Sequence, residues 1–396
     1  MKIRPILALA VTASLAFAAC GGTTSQAPST EPSSEPSQAP SGEPSTEPSA
    51  EPEAASVELQ LQWVPQAQFA GYLAAASLGY YDDENLTVTM LDGGPTIIPQ
   101  QVGSAPDGPE FTISWVPKVL EARELGSDLV DIAQIFSRSG TLSVTWADTG
   151  LTGPCDLAGK KVGVWDFGNE FEVTAGLLRC GYTPGLENGG DPATQYQKVI
   201  QAFDMVAFLN REIDAAEAMI YNEYAQVLEA TNPNTNELYQ PDDMNVIDWN
   251  VQQVAMLQDA LFVRAAWLAE GNNRDIAVRF VRASIRGWIY CRDKPDECVN
   301  IVLDAGTALG AGHQAWQMNE INALIWPNQY GIGVLDPLEW RQSYAIAKQA
   351  GIITADPSVT AFDTSIVAEA IAGLADQNLT GEGFVKGTVA PTPGGE

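Results

Sequence analysis

The run Tyr221-Asn222-Glu223 sets an aromatic ring, a carboxamide and a carboxylate in consecutive positions. Together they offer a stacking face, a paired donor and acceptor, and a charged acceptor, the chemistry that grips a flat polar heterocycle. Two other stretches repeat the theme: Trp165 with Asn169 and Glu170, and Trp63 with Gln66 and Gln68. Trp115 adds a third tryptophan and Arg138 a single cation. Each tryptophan directly follows a β-type run, and each could stack on a ring for roughly 0.5–1.5 kcal/mol beyond area burial, or pack within its lobe. Glu170 has a second reading as a favourable charge near a helix N-terminus, worth roughly 0.3–1 kcal/mol. Gly93-Gly94 either lets backbone approach a ligand or makes a turn. An anionic ligand would gather more cations than Arg138, or several helix-end N–H groups, so an uncharged flat heteroaromatic fits better.

Other chemistries lack their parts. His313 is the one histidine in 396 residues, which weakens a Ser-His-Asp triad or a zinc hydrolase. It reads as structural on its helix, and no catalytic residue, metal or cofactor is assigned. Apart from Cys20, the cysteines are Cys155, Cys180, Cys291 and Cys298, with no CxxC pair. Four cysteines allow three pairings; proximity favours Cys155–Cys180 and Cys291–Cys298 in an oxidising compartment.

These groups need elements to hold them. Short β-type runs alternate with helical patterns, the signature of an α/β fold with parallel strands. Strands are expected at residues 57–63, 87–91, 110–114 and 130–136, with helices at 67–78 and 117–125, and a crossing strand at 143–147. A second lobe then carries strands at 162–165, 199–203, 216–220 and 245–247, and helices at 169–179, 205–211 and 223–230. From 259 onward the pattern is mostly helical, including 274–292, 314–325 and 337–350. The chain is read as leaving lobe 1 near 147 and returning near 255. Lobe 1 is thus 57–147 plus 255–396 and lobe 2 is 148–254, joined by a two-crossing hinge around a ligand cleft.

The N-terminus carries a different message. Lys2 and Arg4 precede an apolar run ending Phe17-Ala18-Ala19-Cys20, which has the form of an export signal over residues 1–19 and resembles a bacterial lipobox. Cleavage before Cys20 would leave a lipid-anchored protein on the outer face of the cell membrane. Residues 20–56 repeat Pro, Ser and Glu without large apolar side chains, so they read as a disordered, semi-stiff spacer. The chain holds 50 acidic and 20 basic residues, a net charge of -30. Such a charge argues against nucleic acid and against lying on anionic lipid.

Three segments resemble the NMT1/THI5-like family of periplasmic-type solute-binding proteins: Trp63-Val64-Pro65-Gln66-Ala67-Gln68-Phe69-Ala70-Gly71-Tyr72, Leu157-Ala158-Gly159-Lys160-Lys161-Val162-Gly163-Val164-Trp165 and Glu217-Ala218-Met219-Ile220-Tyr221-Asn222-Glu223-Tyr224. The last resembles the branch handling thiamine pyrimidine precursors and, in some members, riboflavin. The resemblance implies a type II periplasmic-binding-protein fold, a monomer that delivers its ligand to an ABC permease and its ATPase, and loops at strand carboxyl ends facing the cleft. The family also includes eukaryotic pyrimidine-building enzymes that use a histidine and a cysteine-rich segment. This chain has no CCCFC-like run and no histidine in its first lobe, so the expectation is a binder, not an enzyme. Carboxylates Glu170 and Glu223 would suit an aminopyrimidine; Gln66, Gln68, Asn169 and Asn222 would suit the uracil-like edge of a flavin. The several tryptophans lean the expectation towards riboflavin, with a hydroxymethyl- or formylaminopyrimidine as the alternative, and a THI5-like pyrimidine synthase or a surface sensor as more distant ones.

Overall fold

The computed structural model describes residues 52–396; the segment read as a signal, Cys20 and nearly all of the segment read as spacer lie outside the described residues. Among the described residues, eleven strands form two sheets. They are β1 (Ala55–Gln60), β2 (Leu86–Leu91), β3 (Phe111–Ser114), β4 (Leu129–Gln134), β5 (Thr141–Trp146), β6 (Lys161–Val164), β7 (Thr183–Pro184), β8 (Gln195–Ile200), β9 (Ala215–Met219), β10 (Met244–Asp248) and β11 (Ala260–Arg264). The first sheet has the order β2-β1-β3-β11-β4 and the second β10-β5-β9-β6-β8-β7. β1 runs parallel to β2 and β3, and β6 parallel to β8 and β9. In each sheet one strand next to a crossing is antiparallel to both its neighbours: β11 between β3 and β4, and β5 between β9 and β10.

This exchange moves two sequence expectations. The strand near 143–147, read as part of the first lobe, hydrogen-bonds into the second sheet, so the chain changes sheet between Gln134 and Thr141. β11 falls where the pattern looked helical. Ala260-Leu261-Phe262-Val263 is buried on both faces, and a short continuous apolar run carries no alternation to separate strand from helix. β1 begins at Ala55, inside the segment read as spacer. β8 ends at Ile200, which leaves Phe203 in a loop rather than a strand.

Helices cover the sheets, and their ends follow local chemistry. Asp336 caps the helix Pro337–Gln349 by accepting from Leu338 N at 2.7 Å, with proline in its first turn. The long helix Asn273–Asp293 packs against Ala70–Ser77 at a contact only glycine permits. A Cβ on Gly287 would sit 1.9 Å from the Gly71 carbonyl oxygen, and one on Gly71 would enter the Trp288 ring. There are two disulfides, Cys155–Cys180 and the fully buried Cys291–Cys298, with Cα separations of 5.3 and 5.2 Å. Among the described residues no helix is long and apolar enough to cross a membrane.

The crossings meet at one buried acid. Glu172, in the helix Phe171–Arg179, lies 2.7 Å from Ser139 Oγ on the outgoing crossing and accepts from Met256 N at 2.6 Å on the returning one. Asn250 joins the same two segments by exchanging hydrogen bonds with the Ser139 backbone at 3.2 and 2.9 Å. Gln258 does so through Gly140 N and Thr141 Oγ1. Burial pushes the Glu172 carboxyl up to about 8.

Candidate functional site

Loops at the carboxyl ends of strands from both sheets converge on a cleft of about 650 Å³ of empty space, part of it open to solvent. Trp63 follows β1, Trp115 follows β3, Trp165 follows β6, Phe203 follows β8, and Tyr221 with Asn222 follows β9. This is where a parallel α/β layout leaves side chains free of the ladder. Of the residues expected from sequence, Trp63, Gln66, Gln68, Trp115, Trp165, Asn169, Tyr221, Asn222 and Glu223 line this cleft. Arg138 and Glu170 do not.

Arg138 instead closes a helix end. The last carbonyls of Ala311–Ile325 have no partner within the helix, and the guanidinium donates to Ala323 O at 3.2 Å and Pro327 O at 2.8 Å. Glu170 accepts from Gly168 N at 3.0 Å and pairs with Lys198 at 3.1 Å, which shapes the turn into its own helix.

The three tryptophans are not equivalent. The Trp63 ring meets Phe203 at 4.4 Å, tilted by 46°, and Trp165 stacks on the same Phe203 at 5.6 Å and 12°. Aromatic faces from the two sheets therefore touch across the cleft mouth. Trp115 has other partners: its indole donates to Asp259 Oδ2 at 3.2 Å, and the Lys118 ammonium sits 4.1 Å above its ring. Apolar walls come from Pro95, Ile97, Ile98 and Met219. The loop carrying Pro95 and Ile97 approaches Trp63 because Gly93 lacks a side chain; a Cβ there would lie 2.5 Å from Trp63 N.

The polar floor is a directed chain. The Gln68 amide nitrogen donates to Asp259 Oδ1 at 2.9 Å and its oxygen accepts from Gln66 Nε2 at 2.8 Å. The Gln66 oxygen then takes Gln317 Nε2 at 3.1 Å. Burial raises the Asp259 carboxyl to about 7. Gln66 and Gln68 thus spend part of their hydrogen-bonding capacity inside the protein. A second chain holds Asn222, whose amide donates to Glu223 Oε1 at 2.8 Å and whose oxygen lies 2.9 Å from His313 Nε2. His313, wholly buried, is 2.9 Å from Glu229 Oε2 through Nδ1. Glu223 also accepts from Met219 N at 3.0 Å, and burial pushes it up to about 7.

Sequence reasoning passed over Lys118 and Phe203, and placed Phe167 in a cleft-facing loop without giving it a role. Lys118 lies three residues after Trp115 on a helix, and that spacing returns it to the same face. Phe203 was hidden by the misplaced strand end. Phe167 sits 59% exposed at the cleft with φ 65°, a backbone state unusual for a bulky side chain.

Comparison with known proteins places this geometry. Riboflavin-binding protein RibY of Chloroflexus aurantiacus is 25% identical over 311 residues, covering 76% of this chain and 83% of that protein. A formylaminopyrimidine-binding protein of Halalkalibacterium halodurans is 24% identical over 249 residues, covering 63% and 70%. Among solved structures, the ligand-binding component of an ABC-type import system from Staphylococcus aureus superposes with a TM-score of 0.55 at 10% identity, covering 80% of this chain and 98% of that one. The mixed α/β, two-sheet fold is that of periplasmic binding proteins. The NMT1/THI5-like family profile matches residues 66–298, more than half the chain and nearly every cleft loop, and the protein belongs to that family.

Proposed function

We propose that this protein is the substrate-binding component of an ABC importer and that its ligand is riboflavin, which it delivers to the permease. The observation that carries the reading is the aromatic contact of Trp63, from the first sheet, with Phe203, which stacks on Trp165 beside it in the second sheet at the cleft mouth. A three-ring heterocycle entering between these faces exchanges aromatic contacts for ligand contacts, and lobe closure then grips both of its sides. Carboxamides around the floor, with Asn169 and Asn222, supply donors and acceptors to a uracil-like edge. Relatives that are named as binding proteins support capture and delivery over turnover. The site comprises the nine cleft residues expected from sequence, with Lys118, Phe167 and Phe203 added.

A second reading rests on Glu223. Its carboxylate lines the cleft beside Tyr221 and matches the amino group of a pyrimidine precursor of thiamine. In either case the export signal and the cysteine at position 20 support a lipid-anchored protein on the outer face of the membrane, working as a monomer with a free rim. Titration of residues 52–396, refolded to remove carried-over ligand, against riboflavin and an aminomethylpyrimidine tests both. Saturable one-to-one riboflavin binding with quenched fluorescence is expected. Binding of the pyrimidine alone would transfer the assignment to thiamine salvage, and binding of neither would remove both ligands.

A further inference from the structure

Lys118 is the one lysine or arginine lining the cleft among the described residues, and it is only 4% exposed. A lysine buried this deeply is ordinarily held by a carboxylate, because an ammonium taken out of water is costly unless paired. Here its Nζ has a single acceptor, Asn169 Oδ1 at 2.6 Å, and rests on the Trp115 face. The carboxylates that bear on it, Asp259, Glu217 and Glu170, act through space. Asp259 is already occupied by Gln68 and Trp115, and Glu170 by Lys198. An ammonium has three N–H donors, so two of them lack a partner among the described residues, at the wall of the cleft.

We propose that Lys118 is the ligand-selecting residue of this site, donating to the acceptor edge of a flat heteroaromatic, where a carbonyl oxygen and a ring nitrogen lie side by side. The inference rests on the riboflavin reading and sharpens it. An isoalloxazine carries two such edges, one at N5 and O4 and one at N1 and O2. A protonated aminopyrimidine presents donors instead and meets the lysine as a like charge. Burial holds the ammonium down towards about 8, so it remains a charged donor at neutral pH while having little water to lose on binding.

The test compares wild type and Lys118→Met by calorimetric titration with riboflavin, 5-deazariboflavin, 1-deazariboflavin and a hydroxymethyl aminopyrimidine. Methionine keeps the length of the side chain and removes the charge, and it should leave the melting temperature no lower. The expected result is a loss of roughly 10- to 100-fold in riboflavin affinity, the range of one charge-assisted hydrogen bond. One of the two deaza analogues should bind wild type more weakly than riboflavin does, and that difference should vanish in Lys118→Met. Equal riboflavin affinity in the two folded proteins, or a deaza penalty of the same size in both, would overturn the role of Lys118 and leave riboflavin as ligand. Wild type that takes the aminopyrimidine and not riboflavin would overturn the ligand reading itself.

Discussion

Replacing Glu172 by glutamine should stabilise the protein at neutral pH. The side chain is 3% exposed, and burial moves its carboxyl from the ordinary 4.5 up to about 8. A native pKa above the unfolded one means the folded state keeps its proton where the unfolded chain has released it. The stability contributed by the protonated group is therefore complete below about pH 4.5 and is lost progressively as pH rises to about 8. Within that window each pH unit is worth about 1.4 kcal/mol, so the loss at pH 7 approaches about 3 kcal/mol. Glu172 accepts from Met256 N and from the Ser139 hydroxyl, and a serine hydroxyl can turn to accept instead from a protonated carboxyl. A glutamine makes the same two bonds and does not titrate. Glu172→Gln should thus match wild type near pH 4.5 and exceed it by up to about 3 kcal/mol at pH 7. Urea unfolding at half-unit steps from pH 4.5 to 8.5 measures the difference, and the other buried acids titrate alike in both proteins. A gap that does not change with pH, or a variant less stable than wild type at pH 7, would mean that Glu172 is ionised in the folded state and would refute the argument.

Phe203→Ala removes the ring that both Trp63 and Trp165 contact, and should weaken riboflavin binding by roughly 10-fold or more, read by fluorescence quenching. His313→Ala leaves Glu229 buried without its partner and releases Asn222; a stability loss of about 1–3 kcal/mol in denaturant titration is expected, with weaker ligand binding. Gly287→Ala forces a Cβ into the Gly71 carbonyl and should lower stability by about 1–3 kcal/mol while leaving the cleft untouched, so thermal unfolding shifts and ligand affinity at low temperature does not.

The alternation of short apolar runs with amphipathic helices carried the α/β class, and residues immediately after strands carried most of the cleft. Trp63, Trp165 and Tyr221 were legible because an aromatic at a strand's carboxyl end has one obvious place to go. Arg138 misled for a reason invisible in sequence: the helix end it satisfies lies about 185 residues further along the chain. Lys118 went unseen because a single lysine in an amphipathic helix looks like a solvated charge until the facing lobe buries it. β11 and the sheet membership of β5 depend on long-range pairing, and a buried strand of four or five apolar residues leaves no periodic trace. The Glu172 junction likewise joins three segments that only the finished fold brings together.

The insertion of β11 between β3 and β4 has a consequence for the order in which the chain becomes a protein. Emerging N-terminus first, it delivers β1 to β4 long before the strand that bridges the last two. The second sheet is complete once β10 at Met244–Asp248 has appeared, whereas the first must wait for Ala260–Arg264. The N-terminal half therefore has no finished sheet to collapse onto during synthesis, since non-local pairing cannot repay its loop-closure entropy until the distant partner arrives. On the reading of residues 1–19 as an export signal, late closure of the first sheet is an advantage: a lobe that stays open until residue 264 can pass through a translocation pore that a prematurely folded lobe would block.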